Sequence, residues 1–204
     1  MASTARLAAA LVALACWIGL ALNFSATYAH NGHVVGTLWR LGHFFTIISN
    51  LALAVAMTWL ALGGRVSPFI QSGLTLAILL VGIVYILLLH GLHPLSGRGL
   101  IANHLLHYVS PVAMALYWLL FTPHGRLRWK DPLWWTLFPL AYFAYVIARG
   151  LKGDSYPYQF IDLAKLGPLQ TAINALGIAA GFILCGFVLV FADRHILGRG
   201  RAKR

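Results

Sequence analysis

The stretch FIQSGLTLAILLVGIVYILLLHGL, residues 69–92, decides the fold class, because it contains no Lys, Arg, Asp or Glu. A helix needs about 20 apolar residues to cross the hydrocarbon core of a bilayer. Similar apolar runs recur along the chain, and only 9% of its 204 residues are charged, compared with about 25% in soluble domains. The composition therefore predicts an integral membrane protein rather than a soluble protein with a large core.

Six apolar runs predict an all-α bundle of six transmembrane helices, separated by segments rich in Pro, Gly and basic residues. Most connections are short, so neighbouring helices are expected to pack antiparallel in a single transmembrane domain over residues 1–204. The predicted helices cover residues 6–28, 39–62, 69–92, 100–121, 132–149 and 169–193.

The Lys and Arg residues predict the orientation, because cytoplasmic loops carry an excess of them. With six spans, one side holds Arg6, Arg65, Arg126, Arg128, Lys130, Arg194, Arg199, Arg201, Lys203 and Arg204, and the other holds Arg40, Arg98, Arg149, Lys152 and Lys165. Both termini are therefore expected to be cytoplasmic, in a multi-pass protein of the plasma membrane (the inner membrane of a bacterium). The net charge of +11 fits such flanking residues, and no nucleic-acid partner is expected.

The first helix has two interpretations. Arg6, an apolar run and the small residues near Ala29 resemble a secretory signal peptide. The run extends to about residue 24, which is long for the apolar part of a signal peptide, about 7–15 residues. A retained membrane anchor is therefore favoured, whereas cleavage would leave five spans.

Polar residues collect on the second predicted helix. His43, Thr46 and Asn50 are three and four positions apart, so they share one helix face, and Ser49 flanks it. Polar groups inside spans usually face a bundle interior or a wet cavity. This face is therefore expected to point at another polar surface within the bundle.

The fourth predicted helix carries a matching stripe of Asn103, His104, His107 and Pro111. Thr46 and His107 each lie seven residues inside the outer end of their helix, about 10 Å deep at 1.5 Å per residue. They can touch if the two helices adjoin. The third helix brings His90 and His93 to a similar level.

A threonine beside a histidine predicts nucleophilic catalysis, since the hydroxyl attacks well only when a neighbouring base takes its proton. Asn50, Ser49 or a tyrosine of the outer loop, such as Tyr156, could donate to a developing oxyanion. A substrate that reaches this depth would be lipid-like, such as a fatty-acyl ester. This chemistry requires no metal or other cofactor.

Structural interpretations of the same residues stand beside this one. A threonine in a membrane helix commonly bonds its own backbone, here the carbonyl of Gly42. His107 could simply hold two helices together, and Asn50 and Asn103 fit interhelical hydrogen bonding better than catalysis. Ser49 fits a packing role.

Three motifs resemble a family of six-helix membrane proteins, the androgen-induced and androgen-dependent hydrolases and their bacterial relatives. The motifs are FFTIISNL at 44–51, NHLLHYVSP at 103–111 and YPYQFID at 156–162. The second fits the family's Asn-His-x-x-His-x-x-x-Pro pattern, and the third fits its Tyr-Pro-aromatic loop. Helix number and order agree over nearly the whole chain.

The resemblance implies a threonine hydrolase that cleaves fatty-acid esters of hydroxy fatty acids or similar lipids. The catalytic pair it implies matches Thr46 and one histidine of 104 and 107. His107 is chosen for its depth and its spacing from Pro111, with His104 in reserve. The bacterial relatives need not share this substrate. The resemblance therefore supports the activity class, ester hydrolysis, more strongly than it supports the exact ester.

The outer loop holds the only acids predicted on that side, Asp154 and Asp162. Either could fold over the site with Arg149 and Tyr156, although solvated loop charges are the simpler interpretation. No carboxylate is obviously placed to orient His107.

Two other function classes are open. The His-x-x-His pairs at 30/33, 90/93 and 104/107 contain a common ligand of haem iron, copper and zinc, so the chain could be a haem- or metal-binding membrane protein. The polar stripes could also belong to a non-catalytic scaffold or transporter.

Overall fold

The computed structural model describes residues 3–92 and 94–198, and within them the chain is helical with no β-strand. The helices are α1 (Ser3–Asn31), α2 (Val34–Leu41), α3 (Phe45–Ala61), α4 (Pro68–Val84), α5 (Gly97–His104), α6 (Ser110–Phe121), α7 (Asp131–Trp135), α8 (Leu137–Leu151) and α9 (Leu163–Phe191). Three π-helical segments, Tyr85–Leu89, Leu105–Val109 and Ala192–Leu197, continue α4, α5 and α9, and a 3₁₀ turn covers Gln159–Ile161. The predicted all-α class is confirmed.

Four helices of the described chain are long and apolar enough to cross a membrane: Ser3–Asn31, Pro68–Leu89, Gly97–Phe121 and Leu163–Leu197. The bent pair of α2 and α3 becomes a fifth if it counts as one span. These helices support a polytopic membrane protein, while the count of six spans stays a prediction.

The predicted continuous helix 39–62 is wrong, because the chain bends by 97° between α2 and α3. Gly42 ends α2, and Phe44 has an extended backbone (φ −99°, ψ 128°). Trp39 therefore belongs to a different helix from Thr46. His43 lies in the bend, so it precedes the helix whose face it was expected to share.

The predicted helix 132–149 is interrupted at Thr136, between α7 and α8. Pro139 has no N–H to donate to the carbonyl of Trp135, four residues earlier, which weakens the helix at that point. The hydroxyl and the N–H of Thr136 both bond the Pro132 carbonyl, at 2.7 and 3.1 Å. The longer piece, α8, has 15 residues and falls short of the length of a straight span.

The chain divides into two compact units, one ending at His124 and the other beginning at Gly125. In the first unit, α1 lies along α3 and α5, and α4 packs against α3 and α6. Apolar side chains such as Leu53, Met57 and Met114 are fully buried between these helices.

The first unit contains a very close helix approach at Gly19 of α1. A β-carbon there would lie 2.7 Å from Leu106 Cδ2 and 3.1 Å from Leu105 Cβ, well inside the optimal carbon–carbon separation of about 3.5–4.0 Å. Only glycine lets α1 approach the π-helical segment Leu105–Val109 so closely.

In the second unit, α7, α8 and the 3₁₀ turn pack against α9. The Asp193 carboxylate accepts hydrogen bonds from the N–H groups of Gly125 and Leu127, both at 3.0 Å. The last helix begins at Leu163 rather than near 169, and it is kinked at Gly167 (φ +73°, ψ 168°), a left-handed φ that suits glycine.

Candidate active site

Thr46 and His107 lie in hydrogen-bond contact across the first unit. Thr46 Oγ1 is 3.2 Å from His107 Nε2, although the two residues are 61 positions apart in sequence. Thr46 is the second residue of α3 and is 8% exposed, and His107 is half-buried in the middle of the π-helical segment Leu105–Val109. The Thr46 hydroxyl therefore meets an imidazole, while Gly42, whose carbonyl was its alternative partner, lies in the bend before α3.

The second ring nitrogen of His107 determines how this contact is made. His107 Nδ1 is 3.1 Å from the backbone carbonyl oxygen of Asn103. A carbonyl only accepts, so Nδ1 carries a hydrogen and Nε2 of the neutral ring is left as an acceptor. The Thr46 hydroxyl then donates to Nε2, as a nucleophile donates to its general base. The group that orients His107 is this backbone carbonyl rather than a carboxylate.

The π-helical segment has a local cause in the sequence. Pro111 lacks an N–H, so it cannot bond the His107 carbonyl four residues earlier. Ser110 N–H instead reaches the Leu105 carbonyl, five residues back. Gly82 of α4 lies beside the His107 carbonyl, since a β-carbon there would be 3.2 Å from that oxygen. Single π-helical turns are frequent at functional sites.

Asn50 holds the two helices together at the level of the Thr46–His107 pair. Its side-chain nitrogen donates to the carbonyl of Thr46 at 2.9 Å and to the carbonyl of Leu106 at 3.2 Å. Both hydrogens of the fully buried amide are thereby used. Asn50 is therefore poorly suited to donate to an oxyanion, and it fits the interhelical role that was its alternative interpretation.

Tyr85 is a neighbour of the site that the sequence motifs do not single out. Its ring lies 4.1 Å from the His107 ring, centroid to centroid, at an interplanar angle of 32°. Its hydroxyl accepts a hydrogen bond from the Asn103 side-chain nitrogen at 2.7 Å. The one available sequence signal was that Tyr85 is the only tyrosine of the apolar stretch 69–92.

Two further histidines predicted for the site, His104 and His90, are exposed. His104 is exposed, its Nδ1 lies 2.8 Å from the Leu100 carbonyl, and its ring stacks on Tyr108 at 5.6 Å. His90 is exposed, and its ring meets Tyr85 edge-on at 6.0 Å. His93 lies outside the described residues.

Two further predicted residues are buried near the start of α3. His43 lies in the bend before the helix and is 6% exposed. Ser49 is 1% exposed, and its hydroxyl has no hydrogen-bond partner within residues 3–92 and 94–198.

Arg149 and Tyr156 belong to the second unit. The Arg149 guanidinium donates to Asp154 Oδ2 at 2.7 Å and to the Tyr145 hydroxyl at 2.7 Å. The Tyr156 ring packs directly on Gly150. Asp162 caps the start of α9 by accepting from Lys165 N–H at 3.2 Å. These contacts all lie within the second unit.

The described histidines, cysteines and carboxylates do not form any group of three or more that could hold a metal ion. His107, the most buried histidine of the NHLLHYVSP motif, uses both ring nitrogens, one with Thr46 and one with Asn103. It could bind haem iron only by giving up one of these bonds.

The arrangement therefore consists of a hydroxyl, a base of defined tautomer and a backbone carbonyl that orients the base. Such a set can transfer an acyl group without a cofactor. No protein-family model, curated protein or solved structure matches this chain.

Proposed function

We propose that this chain is an intramembrane hydrolase of lipid-like carboxylic esters, with Thr46 as the nucleophile and His107 as the general base. The observation that carries the proposal is the 3.2 Å contact between Thr46 Oγ1 and His107 Nε2. A nucleophile within hydrogen-bond reach of a base, which a third group orients in turn, is the recurring geometry of covalent acyl transfer.

The reaction proceeds in two steps. His107 Nε2 takes the proton of Thr46 as Oγ1 attacks the ester carbonyl carbon, and the tetrahedral intermediate collapses when Nε2 returns that proton to the leaving alkoxide. Water then attacks the acyl-threonine while Nε2 accepts one of its protons. Collapse of the second intermediate releases the carboxylic acid and returns the proton to Thr46.

The substrate class follows from where the pair lies. His107 belongs to Gly97–Phe121, a helix of membrane-spanning length, and Thr46 belongs to the apolar helix α3. An ester must leave bulk water to reach them, which favours fatty-acyl esters, including fatty-acid esters of hydroxy fatty acids. Membrane lipids are the expected surroundings.

The finer features predicted from the sequence complete the proposal. The chain crosses the plasma membrane six times, with both termini in the cytoplasm, and the site opens toward the outer leaflet. It is a bacterial member of the androgen-induced and androgen-dependent hydrolase family, as its three motifs imply.

Covalent labelling tests the proposal. A fluorophosphonate probe should phosphonylate Thr46 in purified protein, and Thr46→Ala should abolish the adduct. His107→Ala should slow labelling by about 10²–10⁴-fold, the usual contribution of a general base. Thr75→Ala is the matched control, because this buried hydroxyl bonds its own backbone at Gln71, 2.8 Å away. Full labelling of a folded Thr46→Ala variant would rule out the nucleophile.

The other function classes give different results in the same preparation. A haem protein would show a Soret absorption band that disappears in His90→Ala or His107→Ala. A scaffold or transporter would show neither the band nor the adduct.

A further inference from the structure

The His107 imidazole is held by more than its backbone hydrogen bond. Rotation of a histidine ring about χ2 is broad and roughly two-fold, so one hydrogen bond fixes the ring loosely. The Tyr85 ring covers one face of the imidazole at 4.1 Å, and a side chain packed at that distance resists rotation of the imidazole. Tyr85 therefore restricts rotation about χ2 of His107, which the Nδ1–H hydrogen bond alone fixes only loosely.

Asn103 connects the two restraints. Its backbone carbonyl accepts from His107 Nδ1 at 3.1 Å, and its side-chain amide donates to the Tyr85 hydroxyl at 2.7 Å. Asn103 is 8% exposed, so both bonds are largely shielded from water. Tyr85, Asn103 and His107 thus form a closed set of contacts that joins the π-helical segments of two neighbouring helices.

The direction in which the ring points decides the chemistry. If the imidazole turned over, Nε2 would leave the Thr46 hydroxyl and the hydrogen on Nδ1 would lose its carbonyl. In serine hydrolases a buried carboxylate prevents this change and holds the base in the correct tautomer. Here a neutral carbonyl makes the corresponding bond, and a neutral acceptor holds an N–H less strongly than a charged one.

We propose that Tyr85 is a positioning residue, which together with Asn103 holds the His107 imidazole so that Nε2 faces the Thr46 hydroxyl. Tyr85 contacts the base rather than the reacting atoms, and its ring and hydroxyl contribute separately. The inference rests on the proposed function for its effect on reaction rate. Its effect on the imidazole itself is independent of any reaction.

Nitrogen NMR of histidine-labelled protein in lipid nanodiscs measures the imidazole directly. The His107 signals are identified by their loss in His107→Gln. Wild-type protein should show a protonated Nδ1 and an unprotonated Nε2. In Tyr85→Leu, both signals should move toward the average of two exchanging tautomers. Tyr85→Phe keeps the ring and loses only the hydroxyl, so its signals should lie between the two.

Probe kinetics supply the second measurement on the same variants. Tyr85→Leu should lower kinact for the fluorophosphonate by on the order of tenfold, because misplaced reacting groups lose rate steeply. KI should stay unchanged, and Tyr85→Phe should recover part of the loss. Tyr28→Leu is the matched control, since this exposed tyrosine of α1 stacks on Phe24.

The outcomes separate the two proposals. Wild-type nitrogen signals in Tyr85→Leu would overturn the positioning role, whatever the labelling result. If the nitrogen signals change in Tyr85→Leu but the probe never labels the wild-type protein, the positioning of His107 is supported and the proposed hydrolase is overturned. If Tyr85→Leu does not fold, Tyr85→Phe decides on the same two measurements, and wild-type signals and kinact there would refute the inference.

Discussion

Gly19→Ala tests whether the packing of α1 sets the geometry of the site. The new β-carbon would lie 2.7 Å from Leu106 Cδ2, 2.9 Å from Leu106 Cγ and 3.1 Å from Leu105 Cβ. Because the optimal carbon–carbon distance is about 3.5–4.0 Å, the closest contact must open by about 1 Å. Leu106 is fully buried, so rotation of its side chain alone has little room to relieve the clash.

The expected displacement moves Leu106, which directly precedes the proposed base, His107, in the chain. Overpacking of a buried site costs about 1–3 kcal/mol of stability. A misplacement of about 1 Å between reacting groups can cost about 10²-fold in rate. Gly19→Ala should therefore melt earlier than wild type and also label Thr46 far more slowly, with most of the loss in kinact.

Thermal unfolding in detergent and fluorophosphonate kinetics measure the two effects. Gly177→Ala is the control, because its β-carbon would meet no atom of the described residues within 4 Å apart from its own helix backbone, and alanine is the better helix former. It should label Thr46 at the wild-type rate. A Gly19→Ala variant with wild-type melting and labelling would refute the packing argument.

Three further changes have defined outcomes. Asn50→Leu removes one hydrogen bond within α3 and one to the Leu106 carbonyl on the neighbouring helix, so it should cost about 1 kcal/mol and slow labelling of Thr46; wild-type melting and labelling would contradict this. Pro111→Ala supplies the missing N–H for the His107 carbonyl, so the π-helical segment Leu105–Val109 can become regular α-helix. The melting temperature should then rise, and labelling of Thr46 should slow because His107 moves. Faster labelling would count against a role for the π-helical segment in the site. Asp193→Ala leaves two N–H groups without their carboxylate and should lower stability by about 2–3 kcal/mol, seen as faster proteolysis of the second unit; unchanged digestion would disprove it.

The contact between Thr46 and His107 agrees with the expectation that the polar residues of the two stretches meet. The depth argument behind that expectation does not hold, because it counted Thr46 from Trp39, which lies on a different helix beyond the 97° bend. Helical spacing also fails for His43, because His43 lies in a bend that no strong helix-breaking residue in the sequence predicts. Gly42 is a mild signal, and the extended backbone at Phe44 depends on tertiary packing.

The supporting residues of the site were harder to predict. Asn50 could be expected to join helices, but its two carbonyl partners lie on different helices and depend on how α3 meets the π-helical segment Leu105–Val109. Tyr85 was missed because one aromatic in an apolar run is the ordinary pattern of a buried or lipid-facing side chain. Its ring contact requires that two π-helical segments lie side by side, and spacing within one helix carries no such information.

Pro139 is the sequence signal that could have predicted the break at Thr136. A proline four residues after a carbonyl removes that carbonyl's donor, and the same rule explains the π-helical turn before Pro111. The proline rule therefore accounts for one departure from the predicted helices and for one feature of the site.

Trapping the acyl intermediate tests the central claim most directly. Rapid quenching with a fatty-acyl ester, followed by mass spectrometry of the peptide that contains α3, should find the acyl group on Thr46 in wild-type protein and not in His107→Ala. An ester that is hydrolysed while the acyl group appears elsewhere, or on Thr46 at the same rate without His107, would contradict the account.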